Sequence, residues 1–457
     1  MARTMDLTEG SILKKMLVFS MPLIAGNLLQ QLYTVADRVV VGRFAANGAT
    51  ALAAVGATAQ PVNLVLGFFM GIATGASVIC SNMLGAGNKT GLRKNMHTAL
   101  LLGVLCGAAM SAISIPLVEV FLRWLGTPES VLQPAVVYMR LYLLGVPASL
   151  GYNVAAGIFR AHGDTKRPMY VLTISGLVNV TLNLVLVIGF HLDVVGVAAA
   201  TVVSQYLSAG ALIWMLFSPK DQYRLSWKEL RLSKKQVGDI LRVGIPSGLG
   251  GIVFSASNLT IQTAVNQLAA AVPDGAALIA GKTAANDINT FIYQMHGALT
   301  ASCVSFAGQC YGAKKYKRID KIAFTGMWLS VVFMAVPIAL SCIFAPQASG
   351  IFNSEAEVMG YGARFLRILT PSLLLFTPAE CYAASSRGMR RAVMPTVMNL
   401  IAICGTRVAW VLFVFPHFPT IEGLYFSNPT SWIVSCILQV SYYIYVRRKL
   451  TKQENEA

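Results

Sequence analysis

Charge is what this 457-residue chain has least of. Asp, Glu, Lys and Arg together make up 12% of it, about half the share of an average soluble domain. Acidic residues are scarcer than basic ones, 19 against 36. With 55% hydrophobic residues and a positive mean hydropathy, this excludes an ordinary soluble domain and points to a polytopic membrane protein. The eight cysteines (Cys80, Cys106, Cys303, Cys310, Cys342, Cys381, Cys404, Cys436) lie in or beside apolar runs without pairing or metal-ligand spacing. They read as small core residues. No Walker motif, HExxH, GxSxG or paired catalytic carboxylate is present, so the chain is expected to be neither an ATP-driven pump nor an enzyme and to need no cofactor. Lys14 and Lys15 precede a full-length apolar run without a small-residue cleavage pattern, so no cleavable signal peptide is expected.

The net charge of +17 would suit nucleic acid if it were gathered on one face, but it is not. The basic residues recur in short clusters between apolar runs, so nucleic acid is excluded as a partner and the lipid bilayer is the expected surround. Twelve runs reach the length of roughly 20 apolar residues that a span requires. They fall near 14–37, 50–80, 96–120, 131–158, 168–190, 194–217, 241–270, 276–308, 322–345, 358–385, 393–416 and 422–446. Pro22, Pro61, Pro147, Pro246, Pro337 and Pro371 fall inside or near span interiors. Each removes a backbone donor, which a membrane tolerates only where a neighbour or water takes the freed carbonyl.

Alternate connections carry 28 of the 36 basic residues, including Lys89, Arg93 and Lys94, then Arg160, Lys166 and Arg167, and later the dense run from Lys314 to Lys321. The positive-inside rule then places both termini and the linker 219–237 in the cytoplasm of a cell-membrane protein. The linker divides a duplication. An offset of 227 residues pairs Gly85 with Gly312, Lys94 with Lys321, Arg140 with Arg367, Arg160 with Arg387, Pro168 with Pro395 and Ser204 with Ser431. Earlier in each half the offset slips, to 226 at Asn63 and Asn289 and to 224 at Pro22 and Pro246. The expected domains are therefore an N-terminal six-helix lobe (1–218), the basic linker (219–237) and a C-terminal six-helix lobe (238–457). Six spans per half give both lobes one orientation, hence a pseudo-two-fold axis along the membrane normal.

Polar residues inside the spans are the functional candidates. Asp37 leads them, after roughly 33 Å of helix at 1.5 Å per residue. The alternative is a carboxylate at headgroup level paired with Arg38 or Arg43. Asn179 and Asn183 share one helix face at i and i+4, and Thr201 follows the next outer turn. With Asp37 they fall in the outer half of the membrane. One carboxylate with amide and hydroxyl oxygens suits a hard monovalent cation or a proton, while interhelical hydrogen bonding is the plainer role for Asn and Thr. The C-terminal half has no acid in the place of Asp37. It offers Glu380 on span 10 and Arg407 on span 11, separated by roughly 10 Å in depth. They suggest a C-lobe polar site through a water-mediated link or separate roles, or else Glu380 pairs with Arg387 or Arg390. Gln30, Gln60 and Asn63 in the first half, with Asn286, Asn289 and Tyr293 in the second, are candidates for lining a substrate cavity.

The chain resembles the MATE (multidrug and toxic compound extrusion) family. The resemblance is carried by Met21-Pro22 with Asp37 and Gly42-Arg43 and by Leu84-Gly85-Ala86-Gly87-Asn88 with its echo Tyr311-Gly312-Ala313-Lys314-Lys315. It is carried further by the Arg160 to Pro168 loop with its echo from Arg387, and by Asn179 and Asn183. It implies an all-α fold of two six-helix bundles and antiport of cationic amphiphilic compounds against Na+ or H+, in a protein that functions as a monomer. By position, Asp37, Asn179, Asn183 and Thr201 resemble the N-lobe cation site, where Na+ would bind. Asn183 follows the NorM-like rather than the DinF-like pattern. Glu380 resembles an acidic position of some relatives, whereas the span 7 glutamate of NorM-like members, near Phe254 and Ser255, is absent. A flippase or exporter of a lipid-linked or endogenous metabolite on the same fold is the alternative. A receptor or scaffold is disfavoured, because it would not need intramembrane acids in both halves.

Overall fold

The computed structural model describes residues 5–44, 48–218, 224–351 and 355–456, with the side chains at 48, 49, 52, 60, 64 and 453–456 also outside the description. The side chain of the cavity candidate Gln60 and linker residues 219–223 therefore lie outside the described residues. The described chain is all-helical. Its helices are α1 (Ile12–Phe44), α2 (Gly48–Gly85), α3 (Lys89–Trp124), α4 (Glu129–Leu144), α5 (Val146–Ala161), α6 (Lys166–Leu184), α7 (Asp193–Phe217) and α8 (Lys234–Ala270). They continue as α9 (Gly275–Gly312), α10 (Tyr316–Ile343), α11 (Ala345–Gly350), α12 (Ala356–Gly388), α13 (Val393–Asn399), α14 (Thr406–Ala409), α15 (Ile421–Tyr425) and α16 (Ser427–Glu456). Among the described residues eight helices are long and apolar enough to cross a membrane, or nine with the bent pair α4–α5. Each of the twelve expected spans coincides with a helical segment. Those that fall short of the apolar test, such as α9 and α12, carry charged residues along their length.

Pro147 explains the bent pair. The expected continuous span 131–158 is broken by 42° at Gly145. Pro147 has no N–H for the carbonyl of Leu143, and the hydroxyl of Ser111 on α3 donates to that carbonyl instead at 2.6 Å. Gly107, one turn earlier on α3, gives the proline ring room, since a Cβ there would stand 2.6 Å from Pro147 Cα.

The chain divides into two compact units, one of Met1–Asp6 and Met21–Gly248, the other of Leu7–Ser20 and Leu249–Ala457. The divisions fall inside α1 and α8, beside Pro22 and Pro246. In the first unit α8 meets α2 backbone to backbone through two GxxxG pairs, Gly71 with Gly75 and Gly244 with Gly248. A Cβ on Gly71 would lie 2.2 Å from Gly244 O, and one on Gly75 2.4 Å from Ile240 O. The second unit makes the matching contact with side chains. Ser20 Oγ of α1 lies 2.8 Å from Ser302 Oγ of α9, and Phe19 meets Phe306 edge-on at 5.4 Å.

The duplication is legible in the turns. The helix ends after α2 and α5 use left-handed Gly87 and Gly163, and their partners at offset 227 are Lys314 and Arg390, with φ +57° and +60°. The capping bonds repeat as well: Asn88 N to Met83 O matches Lys315 N to Cys310 O, and Asp164 N to Phe159 O matches Arg391 N to Ser386 O. The backbone geometry persists although a non-glycine residue there costs about 1–2 kcal/mol.

The glycine contact sets a stability expectation. Gly75→Val should lower stability by at least about 2 kcal/mol in thermal melting of the detergent-solubilised protein. Gly67→Val, whose Cβ meets nothing within 4 Å, should melt like the parent. Equal melting of the two variants would sink the assignment of Gly75 to a close helix crossing.

Candidate functional site

The first unit brings three of the four expected cation-site residues into one hydrogen-bonded chain. Asn183 Nδ2 donates to Asp37 Oδ1 at 2.5 Å and to Asn179 Oδ1 at 3.3 Å. Asn183 is 0% exposed and Asn179 is buried, while Asp37 on α1 is half-buried. Both amide hydrogens of Asn183 are thus committed. Its carbonyl oxygen is buried and accepts no hydrogen bond, a condition that costs about 1–3 kcal/mol unless something else supplies positive charge. Thr201 lies on α7. Its hydroxyl donates to Val197 O at 2.9 Å, which spends its proton on its own helix and leaves oxygen lone pairs. It is not hydrogen-bonded to the Asp37 chain.

Asn183 is the penultimate residue of α6, and a π-helical turn follows directly at Val185–Gly189. Such single-turn widenings occur often at functional sites. Tyr138 and Tyr142 on α4 stack at 6.1 Å within electrostatic reach of Asp37. Sequence reasoning missed both tyrosines, since their spacing reads as ordinary helix core. It also could not see the π turn, which leaves no pattern of residue types. Among the described residues no group of three or more His, Cys, Asp or Glu side chains is placed to hold a metal ion. A cation at Asp37 would therefore rest on one carboxylate and neutral oxygens.

The second unit is built differently. Offset 227 carries Asn179, Asn183 and Thr201 onto Thr406, Trp410 and Asn428, and offset 224 carries Asp37 onto Ile261, which is buried in an apolar cluster. A π turn recurs at Trp410–Val414 and another lies at Leu400–Gly405, with Arg407 on the short α14 between them. Arg407 is 1% exposed. Its Nη1 donates to Ser257 Oγ at 3.2 Å and Asn258 Oδ1 at 3.1 Å, and its Nε to Ser431 Oγ at 3.3 Å. Its guanidinium lies 5.8 Å from the ring centres of both Phe254 and Trp432. No carboxylate pairs with it among the described residues. Glu380, 16% exposed, is bonded to Arg387. Of the alternatives left open, this is the Glu380–Arg387 pair, and the structure does not bring Glu380 and Arg407 into an ion pair.

The cavity candidates are dispersed. Gln30 and Asn63 in the first unit are exposed. In the second, Asn286 is exposed and Asn289 has a buried carbonyl oxygen without a donor. Tyr293 stacks between Phe254 and Phe376 at 6.0 and 6.1 Å, in the aromatic cluster that holds Arg407. Two further charges lie inside a span and are not among the residues the sequence pattern singles out. Lys282 on α9 is half-buried and donates to Gln262, itself bonded to Asn266 Oδ1 at 2.8 Å. Asp287 on the same helix is half-buried as well. Both were legible as charges inside a span.

The MatE family model matches residues 22–185 and again 246–411, so it covers most of each half. The chain is 29% identical to the probable multidrug resistance protein YoeA of Bacillus subtilis, over 98% of this chain and 96% of that one. It is 20% identical to an FAD transporter of Shewanella oneidensis, over 97% and 96%. Among solved structures it superposes on a MOP superfamily transporter from Pyrococcus furiosus, described as having a binding pocket of reversed polarity. That match has a TM-score of 0.90 and 23% identity, over 98% of this chain and 99% of that one.

Burying a guanidinium without a carboxylate costs about as much as its polar contacts return, so apolar replacement is often neutral or stabilising. Arg407→Met is expected to melt in detergent at the parental temperature or above. A loss of about 3 kcal/mol or more would show instead that the charge holds the second unit together.

Proposed function

The chain belongs to the MatE family, and from that premise we propose that it is a secondary active efflux antiporter. It exports cationic amphiphilic compounds in exchange for a monovalent cation, Na+ or H+, by alternating access. The observation that carries the reading is the buried Asn183 carbonyl oxygen without a donor, one amide group away from the Asp37 carboxylate. A carboxylate and an unsatisfied amide oxygen side by side form the start of a hard-cation shell. Asn179 and the lone pairs of Thr201 complete the proposed set. Relatives named as probable multidrug resistance proteins support an efflux role, and the cationic amphiphilic substrates follow from the family resemblance. Asn183 is taken as support for a NorM-like rather than a DinF-like site.

In this reading Asp37 alternates between cation-bound and cation-free states. Binding at Asp37 draws α1, α6 and α7 toward one arrangement and release lets them relax to another. Coupling is reciprocal: whatever the cation does to substrate affinity, substrate does to cation affinity. Both termini and the basic turns are assigned to the cytoplasmic side by the positive-inside rule.

Arg407 favours a second reading, export of an anionic endogenous metabolite on the same fold. A buried guanidinium among neutral oxygens is a ready partner for a carboxylate or phosphate, and an FAD transporter is among the relatives.

Efflux of a fluorescent cationic dye from proteoliposomes, under Na+ and pH gradients imposed separately, tests the first reading. The wild type should move dye under one gradient. Asp37→Asn should reduce movement to the level of empty liposomes while melting within about 1 kcal/mol of the parent. Normal export by Asp37→Asn would remove the site assignment. Dye that stays put under both gradients, with an anionic substrate moving, would favour the second reading.

A further inference from the structure

A strongly basic surface lies in the second unit at the start of α10. A cavity of about 440 Å³ opens there, lined by Lys314, Lys315, Lys317, Arg318, Lys321 and Thr8. Glu9 takes one of these cations, Lys315, at 2.9 Å. Lys314, Lys317, Arg318 and Lys321 have no carboxylate partner among the described residues, and the Nε of Arg318 is buried without an acceptor. The nearby acid, Asp320, is committed elsewhere. It binds Arg447 of α16 through two bonds of 2.6 and 2.9 Å and accepts from Tyr443 at 2.7 Å. That clamp holds the first turn of α10 in place beneath the cavity.

The two halves of the duplication differ at this point. In the first half the turn into α3 ends on Asn88, whose side chain accepts from Gly91 N at 2.8 Å and caps the helix. At offset 227 stands Lys315, and α10 begins with no side-chain cap and no acidic residue in its first turn before Asp320. Cations crowd the positive end of a helix dipole where an anion is favoured.

The face of α10 that leads away from the cavity identifies the anion. Phe324, Trp328 and Val332 are each more than half exposed. At 3.6 residues per turn, Lys317, Lys321, Phe324, Trp328 and Val332 fall within an arc of about 80°. One continuous stripe thus runs from lysine through aromatic to aliphatic side chains, the order of groups a phospholipid presents from headgroup to acyl chain. We propose that this cavity is a binding site for the headgroup of an anionic phospholipid, with the acyl chains lying along the exposed stripe of α10. The phosphate meets Lys317, Arg318 and Lys321, and Lys314 closes the mouth. Because Lys315 also holds the backbone oxygen of Thr8, 3.3 Å away, just before α1 begins, the lipid sits against the segment that enters α1. The site depends on the chain being in a bilayer, and stands or falls independently of antiport.

Native mass spectrometry of the full chain, purified from vesicles of phosphatidylcholine mixed with phosphatidylglycerol, reads retained lipid directly. The wild type should retain phosphatidylglycerol over phosphatidylcholine. Lys314→Gln/Lys317→Gln/Lys321→Gln should reduce that retention about tenfold or more. Arg231→Gln/Lys234→Gln/Lys235→Gln, which removes three exposed charges from the other unit, should retain it as the wild type does. Unchanged retention in the α10 variant, or equal loss in the control, would overturn the site. Inorganic phosphate is the second arm: if millimolar phosphate binds the solubilised wild type while phosphatidylglycerol is not retained, the anion is soluble and the headgroup assignment is wrong.

Discussion

The proposed site of the first unit depends on the hydrogen bond from the Asn183 amide to the Asp37 carboxylate. It joins α6 to α1, with the Asn183 end fully buried. Its geometry consumes the amide hydrogens and strands the amide oxygen. A buried acceptor without a donor is a standing cost. The same unit leaves other buried acceptors without a donor, Asn95 Oδ1 among them, and what sets Asn183 apart is its bond to the Asp37 carboxylate. The carbonyl that Pro147 leaves open is met by Ser111, and α2 approaches α8 through glycines rather than through polar side chains. The proposed cation site rests on this pairing of a carboxylate with an unbonded amide oxygen.

The second unit follows the same backbone plan with different chemistry. Its turns keep the left-handed residue and the capping bonds of the first, and a π turn returns at the equivalent place. Yet the residue equivalent to Asp37 is Ile261, and the buried charge is a guanidinium lodged between Phe254 and Trp432. Duplication thus preserved the scaffold, which backbone satisfaction in lipid enforces on both copies, and left side chains free to diverge. One half carries a half-buried acid and the other a buried base.

The spans, the duplication and the family were legible in the sequence because each leaves a long record: twenty apolar residues per span, and matched glycines, prolines and arginines at one offset. Asp37, Asn179 and Asn183 were legible because polar residues inside a span are costly enough to be conspicuous. What escaped was short-range or compensatory. The break at Pro147 needed knowledge of Ser111 and Gly107 on another helix. The sequence left the Glu380–Arg387 pair open as one alternative, and side-chain reach decides for it. Lys314 and Arg390 occupy positions that favour glycine, so the turn signal weakens in the second half while the turn itself survives.

Infrared difference spectroscopy of the carboxyl stretch, recorded on the purified protein as Na+ is added or the pH is stepped, tests the role of Asp37 most directly. One buried-carboxyl band should respond. It should vanish in Asp37→Asn and shift in Asn183→Leu, where the carboxyl loses its amide donor. A band that persists in Asp37→Asn, or that Asn183→Leu leaves in place, would contradict a cation site built on this hydrogen bond.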